Sequence, residues 1–226
     1  MRSRLLAGLA AGGALAIPAA AHAATLTADQ PCYVVGVAGA RQVQLTGAGF
    51  APGQSIDISG AQGRFASGTS DAAGAFSAAL TPPPLGSFLP VARAMTLTAT
   101  DAANPTDTAS VTIQVTNLTF ATRGGSRRPQ ALRTWEISGF IPAAGADLAK
   151  PVYAHFRLHG HTYANYRFGV AGGPCGLLKV RAPAIPLERV RTGVWLVQID
   201  QSRAYHAGTR PAIFSRFTVR GTSKHG

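Results

Sequence analysis

The chain has 226 residues, 46% hydrophobic and 13% charged, which excludes a disordered polymer and leaves room for two ordinary domains or one large one. Its 21 lysines and arginines face 9 acids, a net charge of +12, so few carboxylates are on hand for paired acid–base chemistry. Glycine (26) and proline (15) are spread between short runs rich in Thr, Val, Phe and Tyr, a texture of many strands and turns rather than helices.

Arg2 and Arg4 form a short basic segment, residues 5–17 an uncharged apolar run, and Ala21-His22-Ala23 a small-x-small site. This is the pattern of a secretory signal peptide cut after Ala23. Residues 1–23 are therefore set apart, and the remainder is expected to be secreted or extracytoplasmic. The apolar run is shorter than the roughly 20 residues a bilayer span needs, so no integral span is expected in the mature chain.

Charge changes abruptly within the remainder. Residues 24–117 hold three arginines against five aspartates, a balance of −2. Residues 118–226 hold sixteen lysines and arginines against four acids, a balance of +12. The step marks a domain boundary near Asn117 and assigns any affinity for polyanions to the second domain.

In the first half, residues 42–46, 55–59, 75–80, 95–100 and 110–115 alternate apolar and polar side chains, as half-buried antiparallel strands do. Val111, Ile113 and Val115 point to one face and Thr112 and Gln114 to the other. Gly47-Ala48-Gly49-Phe50-Ala51-Pro52-Gly53 and Asp71-Ala72-Ala73-Gly74 are turn sequences. Pro82-Pro83-Pro84 cannot lie inside a sheet and is expected to cross between sheets. Segments 43–53 (VQLTGAGFAPG), 69–77 (TSDAAGAFS) and 97–115 (LTATDAANPTDTASVTIQV) resemble the immunoglobulin-like modules of secreted bacterial proteins. The resemblance spans about residues 25–116. It implies a β-sandwich that serves as spacer, adhesive unit or binding platform, with no chemistry of its own.

The second half offers seven more strands, at 118–122, 132–138, 152–159, 162–168, 177–181, 194–200 and 213–219, and again reads as a sandwich. Trp135 with Ile137, and Trp195 with Val197 and Ile199, are its expected core. The loop at 123–130, with Arg127 and Arg128, is expected to be exposed, and the polar end at 221–226 to fray. The fold class is thus all-β: two antiparallel immunoglobulin-like sandwiches, 24–117 and 118–226, after the leader.

Strand 152–159 divides into two faces. Val152, Ala154, Phe156 and Leu158 point one way, and Tyr153, His155, Arg157 and His159 the other, with Tyr163, Asn165 and Arg167 of the next strand, or their neighbours if the register slips, added to the second set. If the apolar set faces the core, the second set is a basic, aromatic, solvent-facing surface suited to an anionic polysaccharide or cell-wall polymer. His155, His159 and His161 invite a metal, but alternate strand residues stand about 6–7 Å apart and no Cys, Asp or Glu is near in sequence, so no metal is expected.

Gly53-Gln54-Ser55 is not a nucleophile elbow. Cys175, in Gly-Gly-Pro-Cys-Gly, could mimic a thiol nucleophile. As one of two cysteines in an exported chain it is expected instead to bond Cys32 across the domain boundary. Phosphate-loop and dinucleotide motifs are absent, so no cofactor and no enzyme activity is expected. The expected function is a secreted, non-catalytic structural or adhesive protein of the bacterial envelope or exterior. The alternative is a binding protein that grips anionic envelope polymers through its basic C-terminal domain.

Overall fold

Alternating sequences become strands throughout the computed structural model, which describes residues 23–37, 39–86, 89–125, 128–141 and 150–220. The proposed leader up to His22, Arg127 of the basic loop, Asp147 and the end at 221–226 lie outside the described residues. The first eight strands are β1 (Thr25–Ala28), β2 (Cys32–Val35), β3 (Val43–Ala48), β4 (Ser55–Gly60), β5 (Gly63–Thr69), β6 (Phe76–Leu80), β7 (Ala92–Asp101) and β8 (Thr108–Asn117). The next seven are β9 (Thr119–Arg123), β10 (Leu132–Ser138), β11 (Pro151–Leu158), β12 (His161–Val170), β13 (Leu178–Pro183), β14 (Gly193–Asp200) and β15 (Ile213–Val219). No helix occurs among the described residues, and none of them forms a helix long and apolar enough to cross a membrane.

The strands form four sheets. Sheets β1-β3-β6 and β2-β8-β7-β4-β5 share one apolar cluster, built from Val43 and Leu45 on one side and Ile56, Ile58, Leu97 and Ile113 on the other. Phe50 and Phe76 pack edge to face within it. The connection after Leu80, which opens with Pro82-Pro83-Pro84, leads from β6 in the first sheet to β7 in the second. Sheets β13-β10-β9 and β12-β11-β14-β15 share a second cluster centred on the fully buried Trp135, Phe156 and Trp195. Each indole N–H finds a carbonyl, Trp135 at Ala182 (3.3 Å) and Trp195 at Arg191 (2.9 Å), so neither tryptophan leaves an unpaired donor in the core. No sheet among the described residues combines strands from both sides of Asn117.

One pairing departs from the expected antiparallel pattern: β2 runs parallel to β8, with Cys32 opposite Gln114 and Val35 opposite Asn117. After β1 pairs with β3, residues 29–31 carry the chain across to the other sheet, where Gln114 N–H donates to the Pro31 carbonyl (2.8 Å). The chain therefore enters beside the last strand of that sheet already running in its direction. Asp29 clasps the crossing. Its Oδ1 accepts from the Tyr33 hydroxyl (2.5 Å) and the Gln44 N–H (2.9 Å), and its Oδ2 pairs with Arg41 (2.8 Å). Burial acts to raise the Asp29 pKa, but these donors outweigh it and hold the carboxyl below its ordinary value. The same contact and its own burial push the Tyr33 hydroxyl well above the ordinary phenol range.

Cys32 and Cys175 are bonded, with Cα atoms 5.3 Å apart and a sequence separation of 143. The bond lands where the two clusters meet. Gly139 N–H donates to the Cys175 carbonyl (3.2 Å), and Ser138 Oγ donates to the Asn117 carbonyl (2.7 Å). Two glycines make this approach possible. A Cβ on Gly139 (φ 91°) would stand 2.7 Å from Leu118 Cα, and one on Gly176 (φ 58°) would collide with the Phe140 carbonyl.

Two outcomes are expected. Denatured, unreduced protein should show no thiol to a labelling reagent, and the Cys32→Ser/Cys175→Ser variant should lose up to about 5 kcal/mol in denaturant melts, the chain-entropy value for so long a loop. The Asp29→Asn variant should be less stable than wild type by about 1–2 kcal/mol at pH 7. A carboxylate with a lowered folded pKa stabilises above its unfolded value and loses that stabilisation as pH falls through the folded one. Melts in acid should therefore show the two proteins converging below pH 3.8, the ordinary value of the group.

Candidate functional site

The outward side of sheet β12-β11-β14-β15 carries the residues singled out by sequence. On β11, Val152, Ala154, Phe156 and Leu158 are buried in the second cluster, so Tyr153, His155 and Arg157 occupy the opposite side. Register places Tyr153 between Arg167 on β12 and Asp200 on β14, and His155 between Asn165 and Gln198.

That side is not an open surface. The connection at 201–212 between β14 and β15 folds back over it. Ser202 N–H donates to Asp200 Oδ1 (2.7 Å), an Asx turn that starts the reversal. Gln198 Nε2 donates to the His206 carbonyl (2.9 Å). The ring of Tyr205 lies over the sheet, edge-on to His155, with the Arg157 guanidinium 3.9 Å from its centroid. Arg157 also donates to the Tyr205 hydroxyl (2.6 Å) and to the Gly160 carbonyl, so its charge is engaged within the molecule.

His155 is consequently 0% exposed rather than solvent-facing. Its Nδ1 lies 2.6 Å from Asn165 Oδ1 and its Nε2 3.1 Å from Asp200 Oδ1, and Asp200 Oδ2 accepts from Gln198 (2.6 Å). Asp200 and Gln198 are equally buried. A buried carboxylate is tolerated because each oxygen has a donor and the imidazole sits beside it. Histidine and aspartate in this setting form a structural layer between sheet and covering loop, closed to solvent.

Of the other residues expected on one face, His159 sits in the β11–β12 turn, beyond the end of β11, with positive φ (49°) and is exposed. Tyr153 is half-buried and Arg167 exposed. These two do come together, joined by Asn165 and by Arg203 from the covering connection, around an open cleft of about 480 Å³. Asn165 was expected on this face from the neighbouring strand, together with Tyr163 and Arg167. Arg203 was missed because nothing in the pattern of 201–212 shows that the segment turns back over the sheet.

Elsewhere in this half some cations are neutralised. Glu136 lies against Lys179 (2.9 Å) and Arg123 (3.1 Å), and the hydrogen bond from Lys179 leads the causes that lower its pKa. The guanidinium of Arg191 lies over the Tyr163 ring at 5.4 Å and that of Arg210 over the Phe214 ring at 5.7 Å. Arg167, Arg181, Arg189, Arg203 and Arg216 are exposed, and none is ion-paired with an acid among the described residues. No group of three His, Cys, Asp or Glu side chains converges as a metal site among the described residues. Cys175, bonded to Cys32, offers no thiol.

No family model matches the chain, and no curated protein matches it. Among solved structures it is similar to a crystal structure of a tetra-tandem repeat in the extending region of a large adhesion protein. The likeness has 15% identity and a TM-score of 0.28 over 85% of this chain. The chain spans 47% of that structure's length, and so loose a likeness carries no weight for role.

The buried pair has a measurable consequence. His155→Ala strands the Asp200 carboxylate and should cost about 3–5 kcal/mol in urea melts. Adding Asp200→Ala to it should cost far less than the sum of the two single changes, because both disrupt one network.

Proposed function

We propose that this is a secreted, non-catalytic adhesive protein of the bacterial envelope or exterior. In this reading it has two immunoglobulin-like sandwich domains, 24–117 and 118–226, behind a cleaved leader, and its adhesive chemistry is the grip of the basic C-terminal domain on anionic envelope polymers. The observation that carries the reading is the uncompensated charge of that half. Arg167, Arg181, Arg189, Arg203 and Arg216 are exposed without an acidic partner among the described residues, whereas Arg41 and Arg64 of the first half are paired with Asp29 and Asp57. Unpaired surface cations cost nothing in broken ion pairs when they meet a polyanion, and they gain by releasing its counterions. The all-β architecture supports a scaffold role, since its sheets and the Cys32–Cys175 bond hold such a surface rigid. The reading as a non-enzyme is supported by the fate of the candidate catalytic groups: Cys175 is bonded and the His155–Asp200 pair is sealed from substrate.

The test is retention of the mature full-length protein on an anionic resin and on cell-wall fractions across a salt series. Retention should fall steeply as salt rises, since screening shortens to about 8 Å at physiological ionic strength. The Arg181→Glu/Arg216→Glu variant should elute at distinctly lower salt, whereas Arg64→Glu should elute close to wild type. No retention of the wild type at low salt, or equal loss from Arg64→Glu, would leave a purely structural protein.

A further inference from the structure

The cleft at the β12 edge is built differently from the rest of the basic surface. Among the described residues four line it: Tyr153 from β11, Asn165 and Arg167 from β12, and Arg203 from the covering connection. Two guanidinium groups therefore reach one space of about 480 Å³ from two separate elements, and no acid among the described residues is ion-paired with either. Its volume falls in the range of small-ligand clefts, about 300–1,000 Å³.

Asn165 is fixed before any ligand arrives. Its Oδ1 is held against His155 Nδ1 at 2.6 Å, and His155 is fixed in turn by Asp200. This leaves the Asn165 amide NH2 as the group that serves the cleft. The Tyr153 hydroxyl has no hydrogen-bond partner in the molecule among the described residues, and its ring is half-buried in the wall. The lining thus combines two planar cationic forks, one neutral amide donor, one free hydroxyl and one aromatic face.

We propose that this cleft is a subsite for a uronic acid unit of an acidic polysaccharide. The carboxylate would sit between Arg167 and Arg203, whose planar forks match its geometry. The Tyr153 ring and the Asn165 amide would meet the sugar ring and its hydroxyls. A bare phosphate would leave both of those neutral groups idle. Among the described residues no lysine lines the cleft, and there is no helix whose N-terminus could hold a phosphate. The assignment rests on the adhesive reading above and gives it a ligand class, with the His155–Asp200 pair acting as a positioning layer beneath Asn165.

Free glucuronate separates this claim from the adhesive reading, because a single sugar tests the cleft and not the charge of the whole surface. In NMR titrations of the mature full-length protein, glucuronate should shift the Asn165 side-chain NH2 and the Arg167 and Arg203 Nε–H resonances saturably. Glucose should not. Arg167→Ala and Arg203→Ala alter exposed side chains, and each should weaken the glucuronate response about tenfold, the value of one good charged contact. Tyr153→Phe should weaken it less. Absence of saturable shifts at the cleft, equal shifts with glucose, or undiminished binding by both arginine variants would overturn the subsite, even if salt-sensitive retention on polyanions persists. Tighter binding of glycerol phosphate than of glucuronate at the same resonances would overturn the uronate assignment in favour of a phosphodiester polymer.

Discussion

The bond between Cys32 and Cys175 fixes more than two sulfurs. Cys32 is the first residue of a four-residue strand that pairs only with β8, at the edge of its sheet. So short an edge strand has little of its own to hold it. Cys175 sits in a turn stitched to Gly139, one residue beyond the strand whose last side chain, Ser138, holds the Asn117 carbonyl. The edge of one cluster, the connecting peptide at Leu118 and a turn of the other cluster are therefore parts of one joint. Glycine at 139 and at 176 is a requirement of that joint, since any side chain there would push its backbones apart.

The second organising feature is a polar layer where a sheet would ordinarily meet water. Sheet β12-β11-β14-β15 buries an apolar set on its inner side and a hydrogen-bonded set, His155, Asp200 and Gln198, on its outer side, with the exposed Asn165 bonded to His155 at the rim. The covering connection makes this possible, and the network repays it by anchoring the connection at Ser202 and His206. Desolvating such groups is costly, so the arrangement holds only when the set is complete. Its by-product is positional. A loop pinned at these points brings Arg203 to the same cleft as Arg167, which strand pairing alone would not do.

Strand alternation made most of the fold legible. Twelve of the strands were expected near their observed places because a two-residue period with an apolar face has few other solutions. The three that were missed lack that signal for physical reasons. β2 (CYVV) is nearly all buried and so does not alternate; β1 spans four residues; β5 (GRFASGT) lies at a sheet edge and carries glycine and serine where an apolar face would be. The site was less legible than the fold. Alternation tells which side of the sheet His155 occupies, but exposure depends on whether something covers that side, and the covering segment 201–212 has no period to read. The reach of Arg203 into the cleft is a tertiary fact of the same kind, whereas the pairing of the two cysteines followed from their number and the compartment expected from the leader.

The position of the disulfide also sets how the molecule would answer a pull. A chain held at its two ends can lengthen only through residues outside the 143-position loop that the bond closes. Fully drawn out, that loop would measure roughly 500 Å. As long as the bond is intact, force bypasses most of the first cluster and the β9–β12 part of the second, passing from β1 through the sulfurs to the segment after Cys175, which carries β13, β14 and β15. Under tension the protein would behave as a short tether of limited extension, and a reductant would turn it into a long one.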